Sequence, residues 1–231
     1  MTTTFTEFPG RIVAADGVYA PQHDSWLLIY ALTKAAISAG RHVLDLCTGS
    51  GVVGIAAAQQ GAARVTAFDI CPRAVLCSRS NAALAGVDVD LRLGALPQAL
   101  SAGPFDVVVC NPPYVPVNRH AGSEAIPAAA GPPAAYNGGE DGRQFLDPLC
   151  DRAADLLVAG GTMLVVQSVL SGVKRSLASL RSAGLDAGCI ARQRIPFGPV
   201  LSARRSWLER TGRLHPGCRE EEIVVIRADK P

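Results

Sequence analysis

The chain has 231 residues, 48% of them hydrophobic, and a formal net charge of +2. The length fits one large domain spanning 1–231, and the apolar content excludes a disordered chain. The small net charge argues against the broad basic surface of a strong duplex-DNA binder.

The N-terminal "MTTTFTEFPGRIV" has no basic start followed by an apolar core, so no signal peptide is expected. A helix is predicted from about Asp24 to Ala39, with Asp24 or Ser25 as its cap. A strand at His42–Cys47 leads through a glycine turn to a helix at Val52–Gln60. A second strand, Arg64–Asp69, precedes a helix from Pro72, which tolerates its missing N–H in a first turn, to about Leu84. Asp88–Leu93 alternates strictly between polar and apolar residues, as a strand with one wet face or an edge position does. "FDVVVC" at 105–110 reads as a central strand buried on both faces. An Ala/Pro/Gly-rich segment, 115–142, is too long for a plain connection and is a candidate substrate loop. Further along come a helix from Arg143 to Leu157, a Gly160-Gly161 turn, a strand at Met163–Gln167 and a helix at Gly172–Ala183. Strands at Asp186–Ile195 and Glu222–Arg227 end the chain. Alternating strands and helices imply an α/β fold with a largely parallel sheet.

Seven cysteines, odd in number and without a C-x-x-C pair, fit neither a zinc pattern nor a disulfide framework. They suit reduced thiols in a cytoplasmic protein. No uninterrupted apolar run approaches the ~18 residues of a membrane span, so no membrane association is expected. The four histidines, His23, His42, His120 and His215, are scattered, and no metal is expected.

Two stretches carry chemistry. "LDLCTGSGVVG" (Leu44–Gly54) places Gly49-x-Gly51-x-x-Gly54 after a strand and at the start of a helix, where backbone and helix N-terminus approach a ligand. Asp45 precedes that turn, and Asp69 ends the next strand, where a carboxylate can take the two ribose hydroxyls of a nucleoside cofactor. These features leave NAD and S-adenosylmethionine both open. The second stretch is Asn111-Pro112-Pro113-Tyr114. Both prolines lack N–H groups, so their carbonyls and the Asn111 amide oxygen form a set of acceptors with no local donor. Two convergent acceptors match an –NH2 group, and Tyr114 supplies a flat face beside it. Such a clamp orients nitrogen for in-line displacement at a methyl group without a strong base.

With these motifs the chain resembles class I S-adenosylmethionine-dependent methyltransferases. It is most similar to the HemK family of glutamine N5-methyltransferases, in its compact HemK2/Mtq2 branch. "GVYAPQHDSWLL" resembles the family's Y-x-P-x-E-D-[ST] segment, with His23 at the usual Glu, and 1–23 would close over the cofactor. "LDLCTGSG" resembles motif I, "VTAFD" motif II and "NPPY" the catalytic motif. "YNGGEDGRQFLDPL" resembles the segment opening the next helix, and "IPFGPVLSARRSWLERTG" with "EEEIVVIRA" the C-terminal hairpin region.

The resemblance implies a Rossmann-like, seven-stranded sheet of order 3-2-1-4-5-7-6 with strand 7 antiparallel. It implies S-adenosylmethionine as methyl donor, with S-adenosylhomocysteine as product. The implied acceptor is a glutamine in the Gly-Gly-Gln loop of a translation release factor; lysine or a nucleic-acid amine is the alternative. Asn111, Pro112 and Tyr114 would be catalytic, and Pro113 and Tyr136 would join them at the acceptor. Tyr19, Ser25, Asp45, Cys47, Gly49, Gly51, Asp69, Ala95, Leu96 and Asn111 would meet the cofactor. Cys47 stands where motif I usually has Gly, and Ala95 where the family has an Asp that accepts from the adenine amino group. The branch also implies a small Trm112-like activator added to the 88–93 edge. A basic stretch, Arg192, Arg194, Arg204, Arg205, Arg210 and Arg213, is the feature that would serve a nucleic-acid partner.

Overall fold

A computed structural model describes residues 12–118 and 124–231. The start of the N-terminal segment and the stretch 119–123, with His120, lie outside it. Seven strands form one sheet of order β3-β2-β1-β4-β5-β7-β6. The strands are β1 (His42–Leu46), β2 (Arg64–Asp69), β3 (Asp90–Leu93), β4 (Phe105–Cys110), β5 (Leu157–Ser168), β6 (Asp186–Pro196) and β7 (Glu220–Asp229). The first five run parallel, and β7 is antiparallel to both β5 and β6, as the resemblance implied. The helices are α1 (His23–Ala35), α2 (Val52–Gln59), α3 (Pro72–Leu84), α4 (Leu96–Ala102), α5 (Leu146–Asp151), α6 (Ala153–Leu156), α7 (Val173–Ser182) and α8 (Pro199–Arg210).

The continuous apolar run of β4 follows from helices on both faces. Val108 and Cys110 enter the core layer that contains Leu146, Leu149 and Leu156, whereas Val107 and Val109 enter the layer of Leu28, Leu32 and Val53. Two-sided burial removes the polar alternation that an edge strand keeps. β3 is that edge strand, and its salt bridges Arg64–Asp90 and Arg92–Asp90 are largely exposed.

Several expectations are corrected. α1 begins at His23 with Gln22 as N-cap, so neither Asp24 nor Ser25 is the cap; both are buried in its first turn. The helix stops at Ala36, which adopts a left-handed φ of 50° and returns its N–H to the Leu32 and Thr33 carbonyls. The single helix expected over 143–157 is two short ones, because backbone at Arg152 (φ −106°, ψ 7°) leaves the helical region. β5 already starts at Leu157 and carries Gly160-Gly161 within it, with a register shift opposite Phe105–Val107. Two helices, α4 and α8, are not among those predicted. Both begin with a proline in the first turn, and α8 sits between the two strands of the C-terminal hairpin.

Candidate active site

A cleft of about 270 Å³ opens at the carboxyl ends of β1, β2 and β4. The strand order reverses between β1 and β4, and open α/β sheets bind ligands at such a switch point. Of the residues singled out from sequence, Tyr19, Ser25, Cys47, Gly49, Asp69, Ala95, Asn111, Pro112, Pro113, Tyr114 and Tyr136 line this one cleft. Asp45, Gly51 and Leu96 do not; all three are buried away from it.

The glycine turn explains that division. Gly49 and Gly51 have φ of 55° and 85°, which a side chain resists. Cys47 is also left-handed, at φ 62°, an uncommon state for a residue with a Cβ. Backbone conformation therefore accounts for the glycine that the family prefers at this position. Asp45 is buried below the turn, where its Oδ2 accepts from Thr48 Oγ1 (2.6 Å) and from the Gly54 N–H (2.8 Å). Burial pushes its carboxyl up to about 7, partly offset by those two donors and reinforced by the charge of Asp69. Asp69 is held at the rim: Oδ2 accepts the Gly49 N–H and Oδ1 the Cys71 N–H, both at 2.9 Å. Burial raises its pKa, and the backbone donors, Cys71 first, oppose the rise. The N–H bonds fix the carboxylate plane and leave each oxygen a further lone pair for ligand hydroxyls.

Two residues on α3 that belong to no sequence motif tie the turn to the N-terminal strap. Ser78 Oγ donates to the Gly49 carbonyl (2.7 Å). Asn81 Nδ2 donates to the Ser50 (2.8 Å) and Val13 (2.9 Å) carbonyls, while its Oδ1 accepts the Val13 N–H (3.1 Å). One amide thus pairs with strap and turn together. Gly17, Val18, Tyr19 and Pro21 of the strap line the cleft. Asn81→Ala strands these backbone groups and is expected to cost about 2 kcal/mol. A denaturant titration, together with amide exchange at Val13, checks it; unchanged exchange would show that the strap holds without Asn81.

The Asn111–Tyr114 end of the cleft is organised by Asp24, which in the sequence reads as a helix cap. Its Oδ2 accepts from Tyr19 Oη (3.1 Å) and Tyr114 Oη (3.0 Å), and its Oδ1 from the Ser25 N–H (2.7 Å). Burial, followed by the Asp24 charge, raises both phenols well above their usual range, so they remain donors. Tyr114, which lines the cleft, is therefore locked by its hydroxyl. Asn111 Nδ2 donates to Ser25 Oγ (3.3 Å). That assigns the amide nitrogen to the protein and leaves Oδ1 without a protein partner among the described residues.

At the adenine end expected from the resemblance, Ala95 is the N-cap of α4, and its N–H is taken by Gln98 Oε1 (2.9 Å). Alanine is a poor cap because it offers no acceptor to the first-turn N–H groups. Ala95→Asp is expected to stabilise the ligand-free protein by about 1 kcal/mol, read as a rise of roughly 2–4 °C in melting temperature. No rise would mean that the extended backbone at 95 cannot present a cap.

The basic stretch near the C-terminus does not form one surface. Arg204 is buried, Arg192 pairs with Glu222, Arg205 with Glu209, and Arg213 lies over Trp207.

Comparison with known proteins bears on this site. A family model described as ribosomal protein L11 methyltransferase (PrmA) matches residues 23–112. A Methanocaldococcus jannaschii protein, provisionally named a protein N5-glutamine methyltransferase, is 33% identical over 80% of this chain and 89% of its own length. The release factor glutamine methyltransferase of Deinococcus radiodurans is 39% identical over 70% of this chain, which spans 58% of that longer protein. In structure, E. cuniculi Mtq2, solved as a complex with Trm112, superposes with a TM-score of 0.61 at 23% identity, covering 93% of this chain and 99% of that one. That likeness establishes the class I methyltransferase fold. By its 33% identity to the M. jannaschii protein over 80% of this chain and 89% of that one, this chain belongs to the HemK family of S-adenosylmethionine-dependent protein N5-glutamine methyltransferases.

Proposed function

We propose that the chain methylates the side-chain amide nitrogen of a glutamine in a protein, with the Gly-Gly-Gln loop of a translation release factor as substrate. The observation that carries this reading is the orientation of Asn111. Ser25 holds its amide nitrogen, so its oxygen is the atom available to a substrate N–H, beside the donor-free backbone of Pro112 and Pro113. A planar amide needs two acceptors for its two hydrogens and a flat surface for its face. Asn111 Oδ1 and the Pro112 carbonyl supply the acceptors, and the ring of Tyr114, fixed through Asp24, supplies the surface.

The residues present fit S-adenosylmethionine, which supplies an electrophilic methyl on sulfur. Asp69, pinned by two backbone N–H groups, would take the ribose hydroxyls. The backbone of Cys47 and Gly49, above the Asp45 anchor, would hold the methionine end. Tyr19 of the strap and Ser25 of α1 would flank the cofactor. Ala95, which lines the cleft without a side-chain acceptor, leaves the adenine to backbone. The chain's own part in the chemistry is placement and charge. Hydrogen bonds to Asn111 and Pro112 orient the amide nitrogen, and the same oxygens stabilise positive charge that develops on it.

Transfer of labelled methyl to a recombinant Gly-Gly-Gln release factor tests the proposal. Label must appear on the glutamine of that motif; a wild-type enzyme that binds S-adenosylmethionine but labels no such protein overturns it.

The open β3 edge suits the small activator expected in this branch. Ile70, Leu76, Leu84 and Leu93, 57–73% exposed, belong to the end of β2, α3 and β3, the elements at that edge. Co-expression with a Trm112-type protein decides this point: a chain that elutes alone and is fully active alone needs no such partner.

A further inference from the structure

We infer that Arg204 is the positioning residue of the acceptor pocket, holding its outer wall in place from α8. Its side chain is 1% exposed, and its guanidinium reaches three separate points of the 115–142 loop. Nε donates to both oxygens of Glu124 (2.9 and 3.0 Å), and Nη2 donates to Glu124 Oε2 (2.7 Å) and to Asn137 Oδ1 (2.5 Å). Nη1 donates to the Pro116 carbonyl (2.9 Å). The flat cation also lies 5.5 Å from the centre of the Tyr136 ring. Pro132, Ala134, Ala135 and Tyr136 line the cleft, so the segment that Arg204 grips is the pocket's wall.

The grip is mechanically close to the Asn-Pro-Pro-Tyr stretch. Val115, the residue after Tyr114, donates its N–H to the Tyr136 carbonyl and accepts the Gly138 N–H, each at 2.9 Å. Pro116 and Asn137 flank that pair, and Arg204 bonds to both. The wall is otherwise weakly specified: it has two short 3₁₀ turns, Ala128–Ala130 and Pro133–Ala135, and few large side chains. Small residues supply little packing to fix a conformation. A buried guanidinium fits the need because its rigid fork can serve a carboxylate, an amide oxygen and a backbone carbonyl together while its face covers an aromatic ring. Lysine has neither the fork nor the face.

The inference concerns acceptor binding by a methyltransferase; its kinetic arm alone rests on the Gly-Gly-Gln reading. Three measurements on Arg204→Gln and Arg204→Lys test it: amide exchange over 124–138, S-adenosylmethionine affinity by calorimetry, and KM and kcat with a recombinant Gly-Gly-Gln release factor. Expected in both variants are exchange at least tenfold faster over 124–138, cofactor affinity within threefold of wild type, and an acceptor KM raised tenfold or more with kcat changed less. Glu124→Gln, which keeps Arg204 in place, gives the same pattern at smaller amplitude and serves if the arginine variants fail to fold. Unchanged exchange in that segment overturns the inference. So does a loss of cofactor affinity as large as the rise in acceptor KM, since a general structural role would move both. If wild type methylates no Gly-Gly-Gln protein, the substrate reading fails, while exchange and cofactor affinity still decide the role of Arg204.

Discussion

Asn111→Ala is expected to lower methyl transfer by roughly 10²–10³-fold, the usual cost of deleting one preorganised hydrogen-bonding group at the reacting centre. The side chain is half-buried at the carboxyl end of β4, and its nitrogen already has Ser25 as partner. Alanine therefore removes the acceptor while leaving the strand untouched. The loss should fall on kcat with the labelled-methyl assay, and calorimetry should show S-adenosylmethionine still bound. Asn111→Asp separates geometry from charge: it keeps an oxygen but loses the donor to Ser25 and adds a negative charge beside Asp24. Wild-type turnover in Asn111→Ala would show that the Pro112 carbonyl suffices and that the amide oxygen has no part in the reaction.

Gly142→Ala is expected to damage folding and activity together. Gly142 has φ +76°, and a Cβ there would lie well under 3.0 Å from the Tyr114 carbonyl oxygen and 3.0 Å from Ser171 Cβ. The left-handed backbone alone costs an alanine about 1 kcal/mol or more. Relief of the clash must move either the turn or the Tyr114 carbonyl. The turn resists, because the next residue, Arg143, is buried and tied to Asp147 Oδ1 (2.7 Å), the Ser171 and Gly172 carbonyls and Ser176 Oγ (3.1 Å). A total near 3 kcal/mol should lower the melting temperature by roughly 6–12 °C for a chain of this size. Activity measured well below the transition should fall further than the melt explains, since the displaced atom belongs to Asn-Pro-Pro-Tyr. A melting temperature within a degree or two of wild type would show that the turn yields without touching Tyr114.

The pattern of elements was legible in the sequence where one local signal dominated. β2, α3 and β4 fall on the residues expected, because the two strands are clear apolar runs and α3 is bounded by Pro72. α4 and α8 were not legible: one is seven residues long, and the other has the composition of a charged loop until Leu201, Leu208 and Leu214 pack together. The split between α5 and α6 follows from where β5 must start in order to pair with β4, which no local pattern records.

For the site, the sequence determined the chemistry on offer: a glycine turn with acids, and an amide followed by two residues that cannot donate. Those properties are covalent, or belong to a few adjacent residues, and so they survive without a fold. Tertiary structure decided which atoms remain free to act. It sank Asp45 beneath the turn, gave Asp24 to two tyrosines and turned the Asn111 oxygen away from Ser25. It also withdrew Arg204 from a supposed basic surface and spent it on the loop. The physical reason is common to all four. A buried polar group must find partners, and partners 5 to 90 positions away in sequence become neighbours only when the sheet and its helices have packed.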